Sequence, residues 1–187
     1  MNKVRILVDS CADLTKELYK EHEIDVVAQN VRFGEETYLD NGEEITLEQL
    51  YEKVKEKGSL PQTSAVTPGA FDEYFKKTLD AGYDIVYVGL GSKLSTTFQN
   101  ANLAKQSYPE DRIFLVDSGS LSSGIGLVAL KACKYRDEGR SCRSCVRTRS
   151  RFPRGIRRSA LRVRFGWIPC LPCAGCRCLF RRSRGRT

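Results

Sequence analysis

Residues 83–98, YDIVYVGLGSKLSTTF, constrain the fold of this chain more than any other stretch. Asp84 to Leu90 is a run of β-branched and aromatic residues without proline, which predicts a strand buried on both faces. A hydroxyl-rich loop follows at once, from Gly91 to Thr97. Phe98, Ala101, Leu103 and Ala104 then fall roughly on one helical face, with Ser95 as the expected N-cap. Small polar groups beside free backbone N–H groups at a strand-to-helix junction make a natural seat for an anion. The same hydroxyls serve equally well as helix caps, and at this level both readings stay open.

The stretches on either side repeat the pattern. Val4–Val8 reads as a short strand ending in Asp9-Ser10, and Ser10 with Asp13 resembles a capping box that starts a helix bearing Leu14, Leu18 and Tyr19. Residues 25–33 read as a second strand with a bulge, and Thr37-Tyr38-Leu39 as its hairpin return. Thr46 and Gln49 predict a capping box for a helix with a buried stripe of Leu47, Leu50, Tyr51 and Val54, closed by Gly58. Pro61–Val66 is extended. Thr67-Pro68 opens a helix burying Phe71, Tyr74, Phe75 and Leu79, with Gly82 as its stop. Arg112–Val116 is a further strand, ending in Asp117-Ser118, and the helix after it closes near Gly139. Strands alternating with helices predict an α/β fold with a doubly wound, mostly parallel sheet. Ligands of such sheets lie at the carboxyl ends of the strands. Asp9-Ser10, Ser92–Thr97 and Asp117-Ser118 therefore converge on one edge.

Charge divides the chain in two. Residues 1–139 carry 23 acidic and 16 basic residues, a net of −7, whereas 140–187 carry 15 arginines and no Lys, Asp or Glu. Six of the eight cysteines also follow residue 139. The boundary is therefore set at 139/140, with an irregular tail beyond it. The start, MNKVRILVDS, has no apolar core or cleavage site of a signal peptide, and no apolar run approaches a membrane span. A cytoplasmic protein is expected, with Cys11 and Cys133 reduced.

Few reactions fit the body. It has no Gly-x-Ser-x-Gly elbow, no metal cluster, no phosphate-binding loop, and His22 is its single histidine, at a polar helix end. A set of hydroxyls and helix N-termini binds an anion without reacting with it. No enzyme and no cofactor are expected, and on the residues alone these hydroxyls bind an anion or merely cap helices.

Four stretches, in order, carry a family resemblance: Val8-Asp9-Ser10-Cys11-Ala12-Asp13-Leu14, Val31-Arg32-Phe33-Gly34, Pro61-Gln62-Thr63-Ser64 with Pro68 downstream, and Ser92-Lys93-Leu94-Ser95-Thr96-Thr97. Val116-Asp117-Ser118 with Gly124-Ile125-Gly126 supports them. Residues 3–139 thus resemble the N-terminal domain of the DegV family of fatty-acid-binding proteins. The resemblance implies one long-chain, palmitate-like fatty acid, its carboxylate held by Thr63 and Ser95. Ser92, Thr96, Asp9, Ser10, Ser64, Asp117 and Ser118 are weaker pocket candidates. It also implies a partner, a fatty acid kinase catalytic subunit to which the bound acyl group is presented. Departures are plain. Thr96 stands where the family usually has glycine, Ala65-Val66-Thr67 replaces Gln-Pro-Ser, and the second domain that walls the lipid tunnel has no recognisable counterpart, so impaired binding is expected.

The tail has a rival reading. Cys142-x-x-Cys145 and Cys170-x-x-Cys173 resemble a four-cysteine zinc site, and the arginines suit nucleic acid, although the spacing between the pairs exceeds that of usual zinc ribbons. Against this, the codons for Phe165–Cys170 read from each third base are compatible with Val-Asp-Thr-Leu, which DegV-type proteins carry soon after their first domain. A shifted reading frame, with no specific nucleic-acid partner, is the expectation adopted for 140–187.

Overall fold

The computed structural model describes residues 3–142. Four strands form a parallel sheet in the order β2-β1-β6-β7: β1 Lys3–Asp9, β2 Ile24–Val27, β6 Tyr83–Gly89 and β7 Ile113–Asp117. A separate antiparallel sheet runs β4-β3-β5, from β3 Asn30–Phe33, β4 Glu36–Leu39 and β5 Gln62–Ser64. The helices are α1 Lys16–Glu21, α2 Leu47–Lys57, α3 Pro68–Asp80, α4 Thr97–Lys105 and α5 Ser123–Asp137. The doubly wound reading holds for the main sheet, with the small antiparallel sheet added to it.

Two cores follow from the period of two along the strands. Ile6, Val8, Val86, Val88 and Val116 pack against Ile125, Ala129 and Ala132 of α5. Leu7, Val27, Ile85, Tyr87 and Ile113 face the other way, onto Phe71 and Phe75 of α3 and Ala101 and Ala104 of α4. Ile85 through Val88 are fully buried, so each of these side chains stabilises the fold by about 1.5–3 kcal/mol relative to exposure. The strand at the heart of the 83–98 stretch is therefore buried on both faces, as its composition requires.

Local chemistry sets most boundaries. Thr46 and Gln49 form the full capping box, at 3.3 and 2.9 Å, and Gly58 ends α2 with φ +63°. Thr67 accepts from Ala70 N, with Pro68 at the first position of α3. At the end of α5, Gly139 has φ +68° and donates to Arg136 O, while Arg140 N donates to Tyr135 O. These paired bonds are a Schellman stop, just before the composition changes.

Three expectations are corrected. Residues 25–33 are not one bulged strand. Gln29 takes its backbone bonds outside the parallel ladder, its N–H to Ser10 Oγ at 3.2 Å and its C=O from Asp40 N at 2.8 Å, so the chain leaves one sheet and enters the other. Ser10 and Asp13 do not box a helix. Ser10–Ala12 is a single 3-10 turn, Asp13 is left-handed at φ +48°, and α1 starts after Thr15, whose hydroxyl accepts from Leu18 N. On α2, Leu50 and Val54 pack onto Val31, Phe33 and Ile45, but Leu47 and Tyr51 are 63% and 59% exposed. The small sheet is too narrow to cover the whole stripe.

Candidate functional site

The order β2-β1-β6-β7 puts the topological switch between β1 and β6, because the chain winds outward from these strands in opposite directions. The loops that leave their carboxyl ends, together with the loop after β7, build the site.

Asp9 anchors it. Its side chain is fully buried, and its Oδ2 accepts from Leu90 N at 2.7 Å and Tyr87 Oη at 3.1 Å. The first residue of the β6–α4 loop is thus bonded to the end of β1. Tyr87 reaches Asp9 by lying along its own strand over Gly89, where a Cβ would stand 2.6 Å from the ring. Burial pushes the Asp9 carboxyl above its ordinary value, against the opposing hydrogen bonds of Leu90 and Tyr87. Burial likewise pushes the neighbouring Cys11 thiol up to about 12, aided by the carboxyls of Asp9, Asp40 and Asp13. Cys11 is a free thiol, and that shift makes it a poor nucleophile at neutral pH.

Asp117 braces the other side. Its Oδ1 accepts from Ser92 N at 3.2 Å and Gly119 N at 2.8 Å, and its Oδ2 from Ser92 Oγ at 2.8 Å. Gly91 lets the two loops touch, since a Cβ there would lie 3.1 Å from the backbone of Gly119 and Ser120. Ser118 is turned onto Ser120, accepting from its N–H at 3.1 Å. Ser92, Asp117 and Ser118 therefore hold the loops in shape.

Ser95 lies next to the start of α4. It is one residue ahead of the cap position, which Thr96 occupies without a side-chain bond to the helix. Ser95 Oγ instead accepts from Thr97 N at 3.2 Å and lies 3.0 Å from Thr97 Oγ1. The serine still satisfies a first-turn donor, so the expected capping role moves by one residue. No acidic residue stands in the first turn of α4 or α5, and neither cap residue bonds its helix. By contrast α1, α2 and α3 are each capped by a threonine side chain. The positive ends of α4 and α5 are thus left for another anion.

Thr63 and Ser64 are exposed on β5, where Thr63 pairs with Val31. Asn100, in α4, donates to Val66 O at 2.7 Å and ties the segment after β5 to the helix that Ser95 precedes. Leu94, next to Ser95 in the chain, is 57% exposed, and Leu121, on the loop before α5, is 55% exposed. Ser10 carries the Gln29 N–H and serves the chain's change of sheet.

The roles of Tyr87, Gly89 and Asn100 in shaping the loop were not read from the sequence. One signal was present: a tyrosine in a fully buried strand needs a partner for its hydroxyl, and the glycine two residues on frees the path. A cleft of about 730 Å³ lies at the opposite edge, lined by Arg5, Asp84, Arg136 and Arg140 among others. It has none of the Ser/Thr set, and several charges at it are paired within the fold, Arg112 with Asp84, Arg136 with Asp137 and Arg140 with Glu138. Among the described residues, no group of His, Cys, Asp and Glu is arranged to hold a metal, and no helix is long and apolar enough to cross a membrane. Cys142 is buried. Cys145, Cys170, Cys173 and the shifted-frame reading lie outside the described residues.

Fold and loops together define an α/β lobe with a hydroxyl-rich set of loops at the switch point of its sheet. The chain belongs to the DegV family. The profile of the family described as "Uncharacterised protein, DegV family" matches residues 3–153. A DegV domain-containing protein of Clostridium perfringens is 37% identical over 139 residues, covering 74% of this chain and 50% of the relative. One from Clostridium acetobutylicum is 36% identical, covering 75% and 50%. The chain spans about half the length of the curated relatives it matches. Among solved structures, a fatty-acid-binding DegV family protein from Thermus thermophilus superposes with TM-score 0.73 at 30% identity, over 84% of this chain and 54% of that one. A Thermotoga maritima protein whose structure reveals fatty acid binding function gives 0.74 at 28%, over 80% and 55%. DegV of Bacillus subtilis, a fatty acid binding protein, gives 0.67 at 27%, over 87% and 54%.

Proposed function

We propose that this chain is the carboxylate-binding lobe of a fatty-acid carrier. It seats the carboxylate of a long-chain, palmitate-like acid on Thr63 and Ser95 and presents it to a fatty acid kinase, itself remaining a binder and not a catalyst. The observation that carries this is the start of α4. That helix begins with neither a side-chain cap from Thr96 nor an acid in its first turn, and Ser95 stands directly before it. A helix N-terminus in that condition favours a negative charge. Leu94 and Leu121 alongside suit the apolar remainder of an amphiphile. Asp117 and Ser92 hold the loop, and Ser118, Ser10, Asp9, Ser64 and Thr96 support or border it. This lobe supplies one wall of the site, so its affinity is expected to be lower than that of a full-length relative.

The test is palmitate titration of the chain and of a Thr63→Ala/Ser95→Ala double variant. A hydrogen bond to a charged group is worth about 1.5–3 kcal/mol, so the double variant should lose about tenfold or more in affinity while keeping its melting temperature. Equal affinity in the two proteins would remove Thr63 and Ser95 from the seat. Transfer of phosphate to palmitate by a fatty acid kinase, with and without this chain, tests the presentation step.

A further inference from the structure

The carboxyl of Asp9 has an oxygen that the fold does not use. Oδ2 takes both hydrogen bonds, from Leu90 N and Tyr87 Oη, while Oδ1 is buried with no hydrogen-bond partner among the described residues. The Cys11 N–H faces the carboxyl but completes no bond to Oδ1. Gln29 Nε2 is a second buried polar atom without a partner, on the residue whose N–H donates to Ser10, next to Asp9. The groups around Asp9 are Tyr87 of β6, Leu90 at the start of the β6–α4 loop, Cys11 and Asp13 of the turn after β1, and Tyr19 of α1. None of them is a cation. A buried carboxylate with no counter-ion and one bare oxygen is costly, and a neutral acid in the same place costs less, because it leaves an unpaired O–H and not an unpaired charge.

We propose that Asp9 is a positioning residue of the anion seat that works as a neutral acid, holding the β6–α4 loop through Oδ2 and carrying its proton on Oδ1, so that a carboxylate ligand and this proton bind together. The proposal rests on the carboxylate reading of the seat. Leu90, which Asp9 holds, begins the loop that ends at Ser95. An ionised Asp9 adds a buried negative charge at the base of a site that receives another. With a neutral Asp9 the positive end of α4 acts on the ligand unopposed. Burial, the main cause of the raised Asp9 value, points the same way. Above the pH at which free Asp9 ionises, binding of the ligand takes up one proton from solvent.

Asparagine separates the two states. It keeps an oxygen for Leu90 N and Tyr87 Oη and places an N–H where the acid has its O–H. The full chain is labelled with ¹³C at its aspartate carboxyls, Asp9 is assigned by its loss in D9N, and the signals are followed from about pH 3 to about pH 9. The expected result is an Asp9 midpoint above those of the exposed aspartates. D9N should leave the amide signals of Leu90 to Ser95 in place, whereas D9A should move them. In palmitate titrations, the wild-type affinity should fall about tenfold per pH unit above the Asp9 midpoint, and that of D9N should not follow. An Asp9 that ionises with the exposed aspartates overturns the proposal, as does D9N moving the same amides as D9A. If palmitate binds both chains with one pH profile, the carboxylate reading stands and the Asp9 proposal fails. If palmitate binds neither chain at any pH, the carboxylate reading itself fails and takes the proton linkage with it.

Discussion

The two edges of the parallel sheet are finished differently. At the amino edge, charges meet their opposites: Arg112 bonds Asp84 and the carbonyl of Tyr83, and Arg5 lies 3.4 Å from Asp25 and over the Tyr83 ring. At the carboxyl edge, Asp9 Oδ1 and Gln29 Nε2 are buried without partners among the described residues, the cap residues Thr96 of α4 and Ser122 of α5 make no side-chain bond to their helices, and Leu94 and Leu121 stand in solvent. The first edge has satisfied itself. The second leaves polar and apolar groups unsatisfied together, which is what the amphiphile proposed above would meet.

The largest expected effect breaks the carboxyl edge at its base. Gly89→Ala would push a methyl into the Tyr87 ring, which Phe71 and Phe98 hold at 5.1 and 6.2 Å. A cost of about 3 kcal/mol is expected, read by urea unfolding, together with displaced amide signals from Leu90 to Ser95. A cost under about 0.5 kcal/mol would show that the ring yields and that the anchor is softer than argued.

The amino edge supplies the counterpart. Arg112→Ala removes one half-buried partner of Asp84 and should cost about 2 kcal/mol. Its effect on palmitate affinity should be nil. A matching loss of affinity would mean the two edges are coupled and the contrast between them is false.

Helix caps give a finer comparison. Thr46→Ala removes a working capping box and should cost about 1 kcal/mol. Thr96→Ala, at a cap position that makes no side-chain bond, should stay within about 0.5 kcal/mol of wild type. Equal costs would show that the start of α4 is capped after all.

The smallest effect is one of pH. Lys53, Lys57 and Tyr38 hold Glu36 down to about 2 from its ordinary value. Its folded value is depressed, so its contribution is present above the unfolded value and is lost as pH falls towards about 2. Glu36→Gln should flatten the fall of the melting temperature with acidification in that window. Asp9 has the opposite sign. Its raised value means that stability falls as pH rises past the unfolded value towards the folded one. A Glu36→Gln curve that overlays wild type would show the clamp is screened by solvent.

Much of this was legible in the chain itself. Thr46, Gln49, Thr67, Pro68, Gly58 and Gly139 mark helix ends by local chemistry, and local chemistry is what a sequence displays. The run from Asp84 to Leu90 declares a doubly buried strand for the same reason, and Ser92 to Thr97 declare the polar loop. The Ser10/Asp13 box and the Ser95 cap failed locally, by a few residues; the rest of what failed was set at a distance. The parting of 25–33 into two sheets depends on Ser10 and Asp40 taking the backbone bonds of Gln29, and those partners are not neighbours in sequence. The exposure of Leu47 and Tyr51 depends on how wide a sheet lies under α2.

The sequence by itself determined the strand-helix alternation, the caps and the set of hydroxyls, because each depends on residues within a few positions of one another. Only the tertiary structure decided which hydroxyls are spent on bracing, as Ser92 is on Asp117, and which helix ends stay open. It also decided that Asp9, Tyr87 and Leu90 form one buried cluster. Asp9 and Leu90 are 81 positions apart, and a hydrogen bond over that separation exists only once β1 and β6 have paired.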